Sequence, residues 1–309
     1  MSAVSVKNLR KSYKKQVVLD NLTFTIKKGS IFALLGSNGA GKTTTINILS
    51  TLVKPDSGEA NIQGHDVVKD AKEVRKHLSL TGQYAAVDEL LTGKENMYMM
   101  GRLSRVSPQT IKKRTAQLLK QFDLEKAADK AASTYSGGMR RKLDLAISLL
   151  ASPSILFLDE PTTGLDPRSR QELWRLIKSL AHDGTTILLT TQYLDEADYL
   201  ADEIAVLREG TIVAQGTSDD LKKHIGASYL ELEFAQASDT QAAMKLIRDS
   251  SVSSEKPTLL IVPFSDEISE VRRLLNELAN EGLEPKSLTI RKPTLDDVFM
   301  HLTDQGGNN

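Results

Sequence analysis

The sequence predicts an α/β fold followed by a small α+β domain, and three observations predict it. Ile31 to Leu35 form an apolar run of strand length that enters a glycine-rich turn, after which Ile46, Leu49 and Val53 mark the apolar stripe of a helix. A second apolar run, Ile155 to Leu158, ends in the paired carboxylates Asp159 and Glu160. Beyond residue 227 strand and helix patterns alternate afresh with their own apolar residues. The expected division is a larger α/β domain over 1–220, with a helical subdomain at about 84–135 and an antiparallel β portion at its N-terminus. A connector follows at 221–227, an accessory domain at 228–304 and a disordered tail at 305–309.

The turn is Gly36, Ser37, Asn38, Gly39, Ala40, Gly41, Lys42, Thr43 and Thr44, in which Gly36, Gly41, Lys42 and Thr43 fit the GxxxxGKS/T phosphate-loop pattern. Its place between strand and helix matters more than the pattern. Glycines let the backbone wrap a polyphosphate, the helix start presents unpaired N–H groups to it, and Lys42 adds a positive charge. Thr43 is placed to offer a hydroxyl to Mg2+.

Composition narrows the function classes. Lys plus Arg and Asp plus Glu both total 40, so no basic surplus favours nucleic acid or a lipid surface. With no cysteine, thiolate catalysis, thiolate metal sites and disulfides are excluded, as suits a reducing compartment. The apolar runs are too short to cross a bilayer, and Met1 to Lys7 does not read as a signal peptide. Any membrane-spanning part would come from another chain.

In chain order, Val4 to Leu9 and Val17 to Ile26 read as strands, with Tyr13 between them, where its ring could stack on a base or pack at the sheet edge. Pro55 to Gly58 is a turn, Ala60 to Gln63 a strand, and Leu78 to Thr81 another, ending near Gln83, whose amide oxygen could reach a metal or its water. His65 and His77 lack metal-ligand spacing. Thr92 with Glu95 forms a capping box, and Ser107-Pro108 starts a second helix with Ile111, Leu118, Leu119 and Phe122 inward and Lys112-Lys113-Arg114 solvated.

Tyr135-Ser136-Gly137-Gly138-Met139 opens a helix whose face carries Met139, Leu143, Ala146 and Leu150. Ser136, Gly137 and Gly138 can therefore meet phosphate oxygens, or simply cap the helix. At the end of the Ile155–Leu158 strand, Asp159 suits Mg2+ and Glu160 suits polarisation of an attacking water. Gly164-Leu-Asp166-Pro167 is a turn able to present Asp166 at an interface, and Trp174, Ile177 and Leu180 belong to the next amphipathic helix. Thr186 to Thr190 is a strand delivering Thr191 and Gln192 to the same surface, and Asp195, Glu196 and Asp198 favour a helix start through the dipole. Ile204 to Leu207 and Thr211 to Ala214 form a hairpin over Glu209-Gly210. In the tail, strands near 229–234, 258–262 and 288–291 alternate with helices near 240–248 and 268–280, and a short helix closes at 295–302.

Taken together, GSNGAGKTT at 36–44, Gln83, YSGGM at 135–139, ILFLDE at 155–160, GLDP at 164–167 and TTQYLDEAD at 190–198 resemble the nucleotide-binding subunit of an ATP-binding cassette (ABC) transporter over residues 4 to about 220. Pro293-Thr-Leu-Asp-Asp-Val-Phe299 resembles the daunorubicin/doxorubicin-resistance branch of bacterial ABC exporters. The resemblance implies an ATPase that closes on ATP as a head-to-tail homodimer beneath a separate polytopic permease, at the cytoplasmic face of the membrane, with drugs or other hydrophobic compounds as cargo. It implies that Tyr13 stacks on adenine, that Lys42 binds the phosphates, and that Thr43, Gln83 and Asp159 surround Mg2+. Glu160 becomes the catalytic base, Asp166 communicates across the dimer, and Ser136 to Gly138 face the nucleotide of the second copy.

Two motifs depart from the family pattern. Tyr135 and Met139 replace the leucine and glutamine of the LSGGQ signature, and Gln192 replaces the usual histidine; glutamine can donate to a γ-phosphate but cannot relay a proton as imidazole does. Alternatives are a soluble ABC regulatory or nucleic-acid-associated ATPase, which zero net charge and the absence of a second cassette disfavour, and an ATP-binding module that does not hydrolyse.

Overall fold

The computed structural model describes residues 2–83, 86–223, 228–247, 250–253, 256–264 and 268–304. The chain divides into two compact units, residues 1–218 and 219–309.

The first unit is built on two sheets. Strands β1 (Ser2–Tyr13), β2 (Gln16–Lys27), β4 (Ser57–Ile62) and β5 (His65–Asp66) form an antiparallel sheet in the order β2-β1-β4-β5. The other holds β3 (Ile31–Leu35), β6 (Leu78–Thr81), β7 (Ile155–Asp159), β8 (Thr186–Thr191), β9 (Glu203–Arg208) and β10 (Thr211–Gly216), in the order β10-β9-β3-β8-β7-β6. All its neighbours pair in parallel except β10 with β9. Every residue of β3, β7 and β8 is buried, as a parallel sheet covered on both faces requires, which is why these segments read as unbroken apolar runs. In β2, by contrast, Leu22, Phe24 and Ile26 alternate with exposed residues. Phe24 stacks on Phe32 with centroids 5.1 Å apart, joining the two sheets through one core.

The helices of this unit are α1 (Lys42–Leu49), α2 (Ala71–His77), α3 (Gly93–Leu103), α4 (Pro108–Gln121), α5 (Gly137–Ser148), α6 (Pro167–His182) and α7 (Leu194–Leu200). The Thr92–Glu95 capping box is present in both directions, and Ser107 accepts from Thr110 N ahead of Pro108 at the first helical position. Lys112 and Lys113 are exposed as expected, but Arg114 is half-buried and donates to Leu149 O at 2.7 Å, closing the last turn of α5.

Three expectations shift. β1 continues to Tyr13, because Tyr13 pairs with Gln16 and Arg10 with Ser57 although both segments are polar. Val53 and Leu150 lie beyond the ends of α1 and α5. Leu221 is buried inside a short helix, α8 (Ser218–Lys223), so the predicted connector begins as helix; its residues 224–227 lie outside the described residues, as do the 305–309 tail and Arg248.

The second unit carries β11 (Ser228–Glu233), α9 (Ala237–Leu246), β12 (Ser251–Val252), β13 (Leu259–Phe264), α10 (Ile268–Asn280), β14 (Ser287–Arg291) and α11 (Leu295–Asp304). Its antiparallel sheet runs β12-β13-β11-β14; the two-residue β12 has no sequence signal of its own. Leu230, Leu232, Phe234, Leu260, Val262, Leu274 and Leu278 make a separate core. Asp297 accepts from the Thr294 N–H at 2.8 Å and donates its own N–H to Thr294 Oγ1, so the Pro293–Phe299 stretch is a reciprocally capped helix start. Among the described residues no helix is long and apolar enough to cross a membrane.

Candidate functional site

Parallel pairing aligns the C-terminal ends of β3, β8, β7 and β6, with Leu35 opposite Thr191, Asp159 opposite Thr190 and Thr81 opposite Leu158. Ligands of open α/β sheets collect at that edge. The glycine-rich turn leaves β3 there, and its Gly36 N–H donates to Thr191 O at 3.2 Å. Gly41 caps α1 at φ 110°, and a Cβ on it would lie 2.6 Å from Leu19 Cδ2, so both conformation and space demand glycine. Ser37, Asn38, Gly39 and Thr43 are exposed, Thr44 is half-buried and Ala40 is buried. Ala40 O in turn accepts from Gly210 N at 3.1 Å, which ties the loop to the β9–β10 hairpin.

Lys42 is almost fully buried, and its ammonium donates to Gly36 O at 2.7 Å and Ser37 O at 3.1 Å. Asp159 Oδ1 accepts from Thr190 Oγ1 at 2.5 Å and lies 3.5 Å from Thr43 Oγ1. A hydroxyl and a carboxylate converging from different elements are the oxygen donors a hard cation takes, so the residues present fit Mg2+. Gln83 is exposed one residue past Gly82, at the end of the strand beside β7; the structure brings it to the same edge.

Glu160 adopts φ 48°, in the left-handed region that a glutamate seldom enters. Its N–H donates to Thr190 O at 3.1 Å, and its Oε2 accepts from Thr163 Oγ1 at 3.4 Å. Gln192 follows β8, half-buried. Tyr13 is 45% exposed, with Lys11 Nζ 5.5 Å from its ring centroid. Lys11 is itself fixed to Asp56 Oδ1 at 2.8 Å, and that hydrogen bond holds the Asp56 carboxyl below its ordinary value.

Ser136 and Gly137 are exposed, while Ser136 Oγ accepts from Met139 N at 3.2 Å; the capping role is therefore present whatever else the turn contacts. Gly138 lies so close to α6 that a Cβ would come 2.6 Å from Ser169 Oγ. Tyr135 accounts for the first signature departure: its ring is buried and its hydroxyl donates to Ala127 O at 2.6 Å, which satisfies the one polar group that leucine lacks. Asp166 is exposed and caps α6, accepting from Arg168 N at 3.1 Å, Ser169 N at 3.0 Å and Ser169 Oγ at 2.6 Å. The Ser169 hydroxyl is the largest influence holding its carboxyl below the ordinary range.

Three buried charges went unrecognised in the sequence: Arg141, its neighbour Asp144, and Glu196. Arg141, on α5, is only 6% exposed and donates to the carbonyls of Gly82 and Pro161. Glu196, expected to serve a helix dipole at the surface, has no exposure at all; Oε1 accepts from Thr162 Oγ1 at 2.8 Å and Trp174 Nε1 at 3.0 Å. Burial pushes the Glu196 carboxyl up. The available signal was periodicity: Glu196 falls beside Ala197 and one turn before Leu200, both buried.

Comparison with known proteins agrees with this geometry. Residues 19–163 match the ABC transporter family, and residues 216–303 match the C-terminal domain of DrrA1-3-like ATP-binding proteins. The chain is 45% identical over 310 residues to the daunorubicin/doxorubicin resistance ATP-binding protein DrrA of Streptomyces peucetius, covering 97% of this chain and 92% of that one. It is 44% identical over 303 residues to the daunorubicin resistance ATP-binding protein DrrA3 of Streptomyces coeruleorubidus, covering 98% and 96%. The first unit also resembles the dimeric, ADP- and phosphate-bound structure of the ATP-binding cassette MJ0796, with a TM-score of 0.62 at 28% identity over 69% of this chain and 98% of that one.

Proposed function

Because this chain belongs to the ABC transporter ATP-binding subunits of the DrrA-like kind, ATPases that power transport, we propose that it drives export of drugs or similar hydrophobic compounds through a separate permease. The observation that carries the reading is the meeting of Lys42, Thr43, Asp159 and Glu160 at one sheet edge, from two elements more than a hundred residues apart. The drug class follows the names of the relatives, and the dimer follows the assembly of the cassette MJ0796.

In the proposed reaction the glycine-rich loop and Lys42 hold the β- and γ-phosphates of ATP. Glu160 Oε takes a proton from a water as its oxygen attacks the γ-phosphorus; the bond to the β–γ bridging oxygen breaks, and ADP and phosphate leave. Thr43, Asp159 and Gln83 would hold Mg2+, which when bound offsets phosphate charge. Gln192 donates to the γ-phosphate and leaves proton transfer to Glu160. Tyr13 offers its exposed face to adenine. Ser136, Gly137 and Gly138 of a second copy complete the site, and Asp166 stands at that junction. Closure and reopening of the dimer move the permease between access states.

Copurification of the Glu160→Gln protein from native membranes with ATP present tests this reading. Recovery of a polytopic membrane protein supports it. Recovery of soluble partners alone, under conditions that preserve a known membrane complex, overturns it in favour of a soluble regulatory ATPase.

A further inference from the structure

We propose that Arg141 is a positioning residue for hydrolysis, setting from α5 the backbone that carries Gln83, Asp159 and Glu160. The inference rests on the ATPase reading above and gives that site a regulator the motifs do not contain. The Arg141 guanidinium donates from Nε to Pro161 O at 2.7 Å, from Nη1 to Gly82 O at 2.6 Å and from Nη2 to Asp159 O at 3.4 Å. A carbonyl shares its planar peptide unit with the next residue's N–H. Holding Gly82 O therefore fixes the peptide entering Gln83, holding Asp159 O fixes the one entering Glu160, and holding Pro161 O fixes the one that enters Thr162.

Glu160 sits between two of these anchors at φ 48°, a conformation that persists only where its surroundings over-determine it. The arrangement uses the planar fork of arginine: three carbonyls in different directions are met by one rigid group, which a lysine ammonium on a flexible stem cannot reproduce. Asp144, one turn further along α5, completes the clamp. Its Oδ2 lies 3.3 Å from Arg141 Nη1, and its Oδ1 accepts from Ala86 N at 3.0 Å.

The helix that bears the clamp is also the helix that Ser136 begins. Arg141 lies five residues beyond Ser136, about 7.5 Å along the axis. In the proposed dimer the first turn of α5 meets the second copy's nucleotide while Arg141 holds the backbone that carries its own chain's carboxylates. Any shift of α5 on engagement is thus delivered to the peptides entering Gln83 and Glu160, and the two sites of the dimer become coupled through one rigid element.

The test uses the full chain in its membrane complex, with two variants. Arg141→Lys keeps the charge and loses the fork. Arg141→Met combined with Asp144→Leu removes both buried charges, so neither is left unpaired. Phosphate release is measured against ATP and Mg2+ concentration, and binding of a fluorescent ATP analogue is measured with and without Mg2+. For both variants we expect Mg2+-free nucleotide binding within about twofold of the parent, while kcat falls and the Mg2+ requirement rises by about 10–100-fold, the usual cost of losing an outer-shell partner. Unchanged kcat and Mg2+ dependence in the double variant would overturn the proposal, as would a parallel loss of Mg2+-free binding, which marks a folding role. A parent complex that binds ATP but releases no phosphate overturns the ATPase reading itself, and is recognised before any variant is compared.

Discussion

The ammonium of Lys42 lies 3.4 Å from Oε1 of Glu160, with the two side chains 4% and 11% exposed. The cation proposed to bind phosphate and the carboxylate proposed to activate water are thus paired in a site that excludes most solvent. In Glu160→Gln the amide oxygen keeps an acceptor facing Lys42 while the base is lost. We expect nucleotide binding to persist and phosphate release to fall by about 10²–10⁴-fold, the range a positioned general base contributes. Near-normal release from the purified complex would refute the assignment.

Lys42→Ala should act on binding instead. It removes a charge-assisted donor worth about 1.5–3 kcal/mol and leaves Glu160 without its cation. Nucleotide affinity should weaken by about 10–100-fold in equilibrium titration, with the far-ultraviolet circular dichroism unchanged.

Gly138→Ala should destabilise through packing, because the new Cβ would meet Ser169 Cβ at 2.9 Å as well as its hydroxyl. Overpacking of this kind costs about 1–3 kcal/mol. Ser169→Gly in the same chain should recover part of the loss in urea unfolding; additive destabilisation of the two substitutions would show that the contact is not the cause.

Glu196→Gln should change how stability responds to pH. The native carboxyl is raised by burial above its ordinary value of 4.5, so the folded state holds its proton more tightly than the unfolded chain does. That contribution is complete below pH 4.5 and is lost as pH rises through the folded value. Glutamine keeps an oxygen for Thr162 and Trp174 without titrating. The melting temperature of the variant relative to the parent should therefore rise from pH 4.5 upward and level off once the folded carboxyl has titrated, and a constant difference throughout would contradict the shift.

Much of this site was legible because its residues sit at the ends of strands that are buried throughout. Lys42, Asp159 and Glu160 each follow an apolar run too continuous to be anything but a central strand, and the parallel register does the rest. Arg141 and Glu196 were not legible because their partners are distant. Arg141 meets Gly82 across 59 residues and Glu196 meets Thr162 across 34, so local pattern can only read each as one more surface charge. Tyr13 was placed in a loop for a related reason: Arg10, Lys11 and Ser12 break the apolar alternation, and only pairing with β2 and β4 keeps them extended.

The left-handed backbone at Glu160 sets stability and turnover against each other at a single position. Glycine there would relieve a conformation that costs about 1–3 kcal/mol and would remove the carboxylate in the same step. A screen that ranks variants by melting temperature alone would select the protein that lacks the proposed base. With Glu160 as the proposed base, the cost of its backbone conformation is a cost in stability borne for turnover.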